Sequence, residues 1–318
     1  MQASAETRAA DALPFFISVV IVNYNGAQFL ERCLSSLAAQ TYAPYEIILV
    51  DNASTDDSRA LVEKNFPDVK LVSCETNAGF AAGNNLGLHN ARGDLPDIYQ
   101  TRQQLIATLN TDTRVEPDYL AKLCEPMSDA RVGACAPLML EMARPEIVDA
   151  AGIRIDRFGF AWNVGAGERA ENFGAAYEVY GACAGAALYR RAMLDQVGFF
   201  DDAYFGFYED ADLAWRAHNA GWKTIFVPRA RVYHVHGASF GKISPRKTYL
   251  LARNRWWTAL KNYSLPAFWF FLPLILLLDM VSLGQAARRG HLHDAWRGRV
   301  DAWRARNAMW AKRQRVQK

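Results

Sequence analysis

A few carboxylates and one imidazole stand where apolar runs of this chain stop, and their types and spacing could do chemistry. Leu105-Ile106-Ala107-Thr108-Leu109 is an apolar run of strand length that ends on Asn110-Thr111-Asp112, after which Pro117 opens a helix. In an open α/β sheet a carboxylate at the carboxyl end of a strand faces the ligand crevice, where it can hold a hard divalent cation against a diphosphate. Glu46-Ile47-Ile48-Leu49-Val50 ends in the same way on Asp51, a carboxylate of suitable reach to accept the imide N–H of a uracil or thymine. Farther along, Glu209, Asp210 and Asp212 place three carboxylates within four positions behind the aromatic run Phe205-Gly206-Phe207-Tyr208. A helix start needs less charge than that for capping. Taken singly, Asn110, Asp112 and Asp51 have turn and cap duty as the alternative. Several such ends arriving in one region favour a ligand site.

The elements that must position these groups follow from periodicity. Ile17–Tyr24 is a β-branched strand stopped by Asn25-Gly26, and a helix follows with Phe29, Cys33, Leu34 and Leu37 on one face. Val69–Cys74 makes a third strand, and Asn77 to Asn85 opens another helix in which Gly79 and Gly83 allow a ligand or a neighbouring backbone to come close. Strand–helix alternation of this kind predicts a mostly parallel sheet flanked by helices. Neither a Gly-x-Gly-x-x-Gly turn nor a Gly-Lys-Ser/Thr loop is present, which removes the usual dinucleotide and P-loop readings. In the second half, Val132–Leu138 reads as a strand, and Gly152–Asp156 with Phe158–Trp162 as a hairpin. Gly165–Gly174 reads as a loop, either over the site or in solvent. Asp212 and Arg216, one helical turn apart, predict a structural ion pair. Lys223–Val227 is a strand leading to His234-Val235-His236, where an extended backbone points the two imidazoles to opposite faces.

Composition bounds the class. The 318 residues are 51% hydrophobic and carry a net charge of +3. That charge is uneven: Gln285–Lys318 holds ten Lys/Arg against two Asp, leaving 26 basic and 31 acidic groups before it. A mildly acidic body with a basic tail is not the profile of a nucleic-acid-binding enzyme. Five scattered cysteines without Cys-x-x-Cys argue for reduced thiols and against a disulfide scaffold or a zinc site. Residues 1–14 read as a disordered lead-in. Leu265–Val281 is the most apolar run, but its two prolines and Asp279 favour a re-entrant or interfacial segment over a full crossing. Beyond it, Leu292, Trp296, Val300, Trp303 and Trp310 fall on one helical face with arginines on the flanks, a pattern suited to lying in an anionic bilayer surface.

Val-x-Asn23-Tyr-Asn25-Gly, Val50-Asp51-Asn52-Ala53-Ser54-x-Asp56, Asn77-x-Gly79-Phe80-x-x-Gly83-Asn84 and Leu109-Asn110-x-Asp112 together resemble the inverting family-2 glycosyltransferases, and most of all their rhamnosyltransferase-like branch. The resemblance runs from about Ile17 to Tyr263. It implies a GT-A fold: residues 15–113 as a nucleotide-sugar half, 114–263 as an acceptor half, and 264–318 as a membrane-docking tail. It places Asn23, Asn25, Asp51, Asn77, Gly79, Asn84 and Asn110 at the donor, a dTDP- or UDP-linked sugar. Asp112 and His234 would hold Mg²⁺ or Mn²⁺; His234 follows the acidic motif where the family has a metal-contacting histidine. Asp210 maps to the base that takes the acceptor proton, with Glu209 contacting the acceptor. Gly185 and Arg253 are expected on the acceptor side, the first letting a sugar ring approach closely, the second offering a guanidinium fork for a diphosphate. Two departures stand out: Asn110-x-Asp112 replaces the common Asp-x-Asp, and residues 94–104 look inserted.

The function implied is metal-dependent transfer of a sugar, L-rhamnose from dTDP-rhamnose among the candidates, to a lipid-linked or polysaccharide acceptor. It would take place at the cytoplasmic face of the plasma membrane, by a peripheral or monotopic enzyme. The alternatives are a sugar-1-phosphate nucleotidyltransferase, which would want a basic glycine-rich loop after the first strand, and an inactive membrane-docked binding module.

Overall fold

A computed structural model of the chain describes residues 15–91, 104–235 and 244–317. Strands β1 (Phe16–Asn23), β2 (Tyr45–Asp51), β3 (Lys70–Ser73) and β4 (Gln104–Asn110) pair in parallel in the order β4-β1-β2-β3. Helices α1 (Ala27–Ala38), α2 (Ser58–Asn65) and α3 (Gly79–Asn90) connect them. These strands are covered on both faces, which is why they read as unbroken apolar runs: Val19, Val20, Ile21, Ile48, Leu49 and Val50 are all enclosed. On α1 the buried stripe is Leu30, Cys33, Leu34 and Leu37; Phe29 is only half-buried, so the seam starts one position later than expected.

The second half holds β5 (Thr113–Val115), α4 (Tyr119–Cys124), β6 (Val132–Glu141), β7 (Arg144–Ala150) and the expected hairpin of β8 (Ile153–Ile155) with β9 (Ala161–Asn163). It continues with β10 (Tyr177–Val179), β11 (Ala186–Arg190), α5 (Arg191–Val197), α6 (Glu209–Asn219) and β12 (Lys223–His234). Because β11 runs antiparallel between β4 and β6, one ten-stranded sheet spans both halves. It is parallel in the first half and mixed in the second. Gly165–Gly174 is a built connection rather than a free loop: it carries a single helical turn at Ala170–Asn172, and Phe173 packs edge-on against the buried Phe226. The expected lead-in, most of the inserted segment and His236 lie outside the described residues. The last inserted residue, Gln104, is buried at the head of β4, where its amide donates to the Ala91 carbonyl at 2.7 Å.

The chain continues with four helices, α7 (Pro245–Asn262), α8 (Leu265–Arg288), α9 (Leu292–Arg304) and α10 (Arg306–Val316), the last three making up the tail. The final amphipathic stretch is therefore two helices, not one; the break at Ala305 lets Lys312 reach back to Asp201 and Arg313 to the Leu260 carbonyl. On α8, Phe268, Phe271, Ile275, Asp279, Ser282 and Ala286 recur at helical spacing and face the body. Asp279, an obstacle to burial when read from sequence, is a bolt here. It accepts from Arg255 on α7 and from Arg299 on α9, the latter at 2.7 and 2.9 Å. By length and composition α8 could cross a membrane, but this bolt lays it along the body and leaves Trp269, Phe270, Leu277 and Met280 outward.

The expected Asp212–Arg216 pair forms at 3.0 Å and belongs to a larger cluster. The enclosed Asp212 carboxylate also accepts from Lys261 at 2.9 Å and Asn262 at 2.8 Å, so it joins α6 to α7. Burial alone would raise this carboxyl; Lys261 and Arg216 overcome that and hold it far below the usual range. With its folded pKa depressed, ionised Asp212 stabilises the fold above the unfolded carboxyl's pKa, and that contribution disappears as pH falls below it. Asp212→Asn leaves two buried cations short of a charge and should lower the unfolding free energy by about 3 kcal/mol at neutral pH. In urea titrations run across pH, the gap from wild type should close below about pH 4.

Candidate active site

The first three parallel strands deliver polar groups to one edge of the sheet. Asn23 ends β1 directly beside Asp51 at the end of β2. Its amide donates to Asp51 at 3.2 Å and to the Ser54 hydroxyl at 3.0 Å. Asp51 is enclosed, with Arg59 laid against it at 2.6 Å and the Ser54 N–H at 3.2 Å. Burial would raise the Asp51 carboxyl, yet the bonds from Ser54, Arg59 and Asn23 bring it below its ordinary value. Asn25, held at a φ of 52°, accepts from the Thr55 N–H, and Asn52 bridges Asn77 to the Gly79 carbonyl. The amides that punctuate the sequence thus cross-link three loops into one crevice wall. Arg59 and Asn52 were not singled out from the sequence; Arg59 stands where the helix after Asp51 makes its first turn.

At the end of β4, the main chain turns so that Asp112 meets His234 of β12, with Nε2 3.2 Å from the carboxylate. The other ring nitrogen, Nδ1, lies 2.7 Å from Asp149 of β7. Asn110 sits 3.4 Å from Nε2. Burial would lower the imidazole, but Asp112 and Asp149 on its two nitrogens push it up to about 9. Asp149 escaped the sequence reading. Its signal is a lone carboxylate inside the apolar Ile147-Val148-Asp149-Ala150-Ala151. A carboxylate on Nδ1 fixes the ring and leaves Nε2 for a cation, the usual support of a metal-bound histidine. Among the described residues no group of three or more His, Cys, Asp or Glu could hold a metal by itself. One carboxylate and one imidazole fit a hard cation that takes its remaining ligands from water and a substrate diphosphate.

The base candidate is delivered by a turn in which Phe205, Phe207 and Tyr208 all have positive φ, at 65°, 66° and 70°. Tyr208 is the N-cap of α6, so Glu209 and Asp210 form its first turn. Asp210 accepts from the Ala184 N–H at 3.3 Å and from the Ala211 N–H at 2.8 Å. One residue on, the Gly185 carbonyl accepts the Asn110 N–H at 2.9 Å. The dipeptide Ala184-Gly185 therefore ties the base candidate to the strand end that carries the Asp112 turn. Burial raises both Asp210 and Glu209; the Asp210 charge lifts Glu209 further, and a buried Glu209 oxygen has no hydrogen-bond partner.

With this geometry, residues 18–198 match the model of glycosyl transferase family 2. The chain belongs to that family. The N-acetylglucosaminyl-diphospho-decaprenol L-rhamnosyltransferase of Mycobacterium tuberculosis is 29% identical over 280 residues, covering 80% of this chain and 89% of the relative. Two solved structures share the fold. GalNAc-T7 with UDP, GalNAc and Mn²⁺ superposes with a TM-score of 0.61 at 21% identity, over 77% of this chain and 48% of that one. The mannosyltransferase PcManGT of Pyrobaculum calidifontis, with GDP-Man and Mn²⁺, gives 0.57 at 18% identity over 96% and 86%. The GT-A class expected from sequence is thereby met, and the nucleotidyltransferase alternative falls away.

In this transferase several expected site residues also make contacts within the fold. Gly79, at a φ of +90°, is closely approached by the Phe205 turn: a Cβ there would lie 2.5 Å from the Phe205 carbonyl, which accepts the Phe80 N–H at 2.6 Å. Gly83 lets α3 sit on Val22, and Asn84 donates back to the Phe80 carbonyl of its own helix. Gly185 makes room for the Asn110 side chain, 3.1 Å from where a Cβ would be. Arg253 is engaged within the fold: its Nη2 donates to the Ala203 and Tyr204 carbonyls, at 3.1 and 2.9 Å, and its guanidinium lies over Trp257, because the α7 register points it at the approach to α6. Gly79→Ala should therefore cost about 2 kcal/mol or more through backbone strain and collision, read as a lower melting temperature.

Proposed function

We propose that the transferase moves L-rhamnose from dTDP-rhamnose, with inversion and with a divalent cation, onto a lipid-diphosphate-linked acceptor. The site would act at the cytoplasmic face of the plasma membrane. The observation that carries the chemistry is the Ala184-Gly185 dipeptide, which holds Asp210 on one side and the Asn110–Asp112 strand end on the other. A sugar–diphosphate bond lying between them has a base on one side and a cation site on the other. The choice of sugar and acceptor is supported by the named activity of the mycobacterial relative and its coverage of both chains.

Asp51 reads the base, Arg59 turning aside to admit the imide. Asp112 and His234 would hold the cation, with Asp149 orienting the imidazole. When bound there, it would supply positive charge against the diphosphate. Asp210 takes the proton from the acceptor hydroxyl as its oxygen bonds to the anomeric carbon. The bond from that carbon to the phosphate oxygen breaks, and its electron pair leaves with dTDP. Transfer in one displacement inverts the centre and needs no protein nucleophile. Glu209, buried and with its carboxyl raised by burial and by the Asp210 charge, contacts the acceptor.

Asp210→Asn should lower kcat by about 10² to 10⁴-fold while leaving donor affinity intact. Asp112→Ala should lose metal-dependent donor binding in calorimetry with dTDP-rhamnose, UDP-sugars and GDP-sugars. Because Asp210 must be ionised and burial raises it, wild-type kcat should fall as pH drops through a value above that of an ordinary aspartate. Failure of dTDP-rhamnose to bind with either Mg²⁺ or Mn²⁺ would sink the donor assignment.

The tail suits the acceptor. Trp269 and Phe270 of α8, Trp296 and Trp303 of α9 and Trp310 of α10 are exposed, and Arg297, Arg304, Arg306 and Arg315 stand among them. Aromatics beside arginines favour an anionic bilayer surface. The five unpaired thiols fit a reducing compartment. In vesicle co-sedimentation, binding to phosphatidylglycerol-containing membranes should weaken with salt and with Trp296→Ala/Trp303→Ala. Equal binding by wild type and double variant would overturn the assignment of this face.

A further inference from the structure

Asn254 is fully buried in α7, on the side away from the membrane face. Its Nδ2 lies within hydrogen-bond distance of three successive-turn carbonyls: Tyr204 at 3.0 Å, Gly206 at 2.9 Å and Phe207 at 2.7 Å. Its own oxygen accepts the Arg253 Nε–H at 2.9 Å, which fixes the orientation of the amide. The fourth carbonyl of the segment, that of Phe205, is taken from the opposite side by the Phe80 and Ala81 N–H groups. Every carbonyl from Tyr204 to Phe207 is therefore met by a group outside the turn; one side chain reaches three of the four, and Arg253 shares that of Tyr204.

The turn needs such restraint. Phe205, Phe207 and Tyr208 occupy the left-handed region, where each non-glycine residue costs about 1 kcal/mol or more. Left to its own preferences, this segment would relax toward negative φ. Tyr208 is also the N-cap of α6, so its backbone sets the direction in which the first helical turn leaves and hence where the Asp210 carboxylate points. A displaced Asp210 would lose the Ala184 N–H that ties it to the Asn110 strand end.

We propose that Asn254 is the positioning residue for the catalytic base: its amide holds the Tyr204–Tyr208 turn in the conformation that aims Asp210 into the crevice. The inference rests on the reading of Asp210 as the base. It explains why an amide is required. Aspartate would face three carbonyls with oxygens only, and an aliphatic residue would leave them buried and unmet. It also makes α7 the strut between the membrane-facing helices and the reaction, because the next residue, Arg255, engages Asp279 of α8.

Asn254→Asp and Asn254→Ala are assayed in the full-length protein with dTDP-rhamnose, beside Asp210→Asn. Both are expected to melt cooperatively and to bind donor within about threefold of wild type, while kcat falls about 100-fold, as for a misaimed catalytic group. The acid limb of the kcat–pH profile should also move upward, because an Asp210 without the Ala184 N–H ionises less readily. Adding Phe207→Gly to Asn254→Ala should recover part of the lost kcat, since glycine takes positive φ without help. A folded Asn254 variant with near-normal kcat and an unmoved limb would overturn the proposal, as would variants that no longer fold, for the amide would then be holding the fold and not the base. If Asp210→Asn keeps full activity, it is the base assignment that fails; if it is inactive while Asn254→Asp is not, only the Asn254 role fails.

Discussion

The turn from Tyr204 to Tyr208 cannot keep its own shape, and much of the molecule is arranged to keep it. Three non-glycine residues in the left-handed region carry strain that a short segment does not hold unaided. On one side the N-terminus of α3 offers N–H groups to Phe205, at the spot where Gly79 has no side chain to interfere. On the other, α7 brings Asn254 and Arg253 to the carbonyls. Tyr208, the last residue of the turn, accepts the Ala161 N–H of β9 on its hydroxyl oxygen, at 3.2 Å, and so draws the hairpin in as well. Helices α3 and α7 and the β8–β9 hairpin all converge on five residues.

The carboxylates of this enzyme are divided by their neighbours. Asp51 and Asp212 are enclosed with cations and amides against them, and both are held in the ionised form. Glu209, enclosed, and Asp210, half-buried, have little besides backbone N–H groups against them, and both are raised. Burial is common to all four; the partners decide the sign. That division separates structure from reaction within one acidic stretch. Asp212 bolts α6 to α7 through Lys261, while two positions earlier Asp210 is left without a counterion, as the proposed base role requires.

The tail shows the same economy of charge. Asp279 breaks an otherwise apolar run and would be costly to bury alone. Flanked by Arg255 and Arg299, it orients α8 so that one face packs on Tyr263, Phe158 and their neighbours while the opposite, apolar face is left exposed. Gly298 lets α9 press against α7 where any side chain would meet the Tyr249 carbonyl. The amphipathic surface is thus assembled from three helices on a rigid support.

What the sequence determined by itself was whatever depends on local order along the chain. Strand runs such as Val19-Val20-Ile21, the polar stops at Asp51 and Asn110, the hairpin around Gly159 and the i,i+4 pair of Asp212 with Arg216 all follow from period and neighbour chemistry. The family was legible for the same reason, because its motifs are short and ordered. The tertiary structure decided who the partners are. Asp149 is silent in sequence, since nothing in β7 says that His234 of β12 will lie 2.7 Å away. Gly79 and Arg253 carry the marks of ligand-binding residues, and the register of α3 against the turn and of α7 against α6 gives both contacts within the fold that their sequence positions do not announce. Asn254 had no mark at all. A side chain's intrinsic chemistry is local, but its task is set by which distant groups the packed core brings within hydrogen-bond reach, and no linear spacing encodes that.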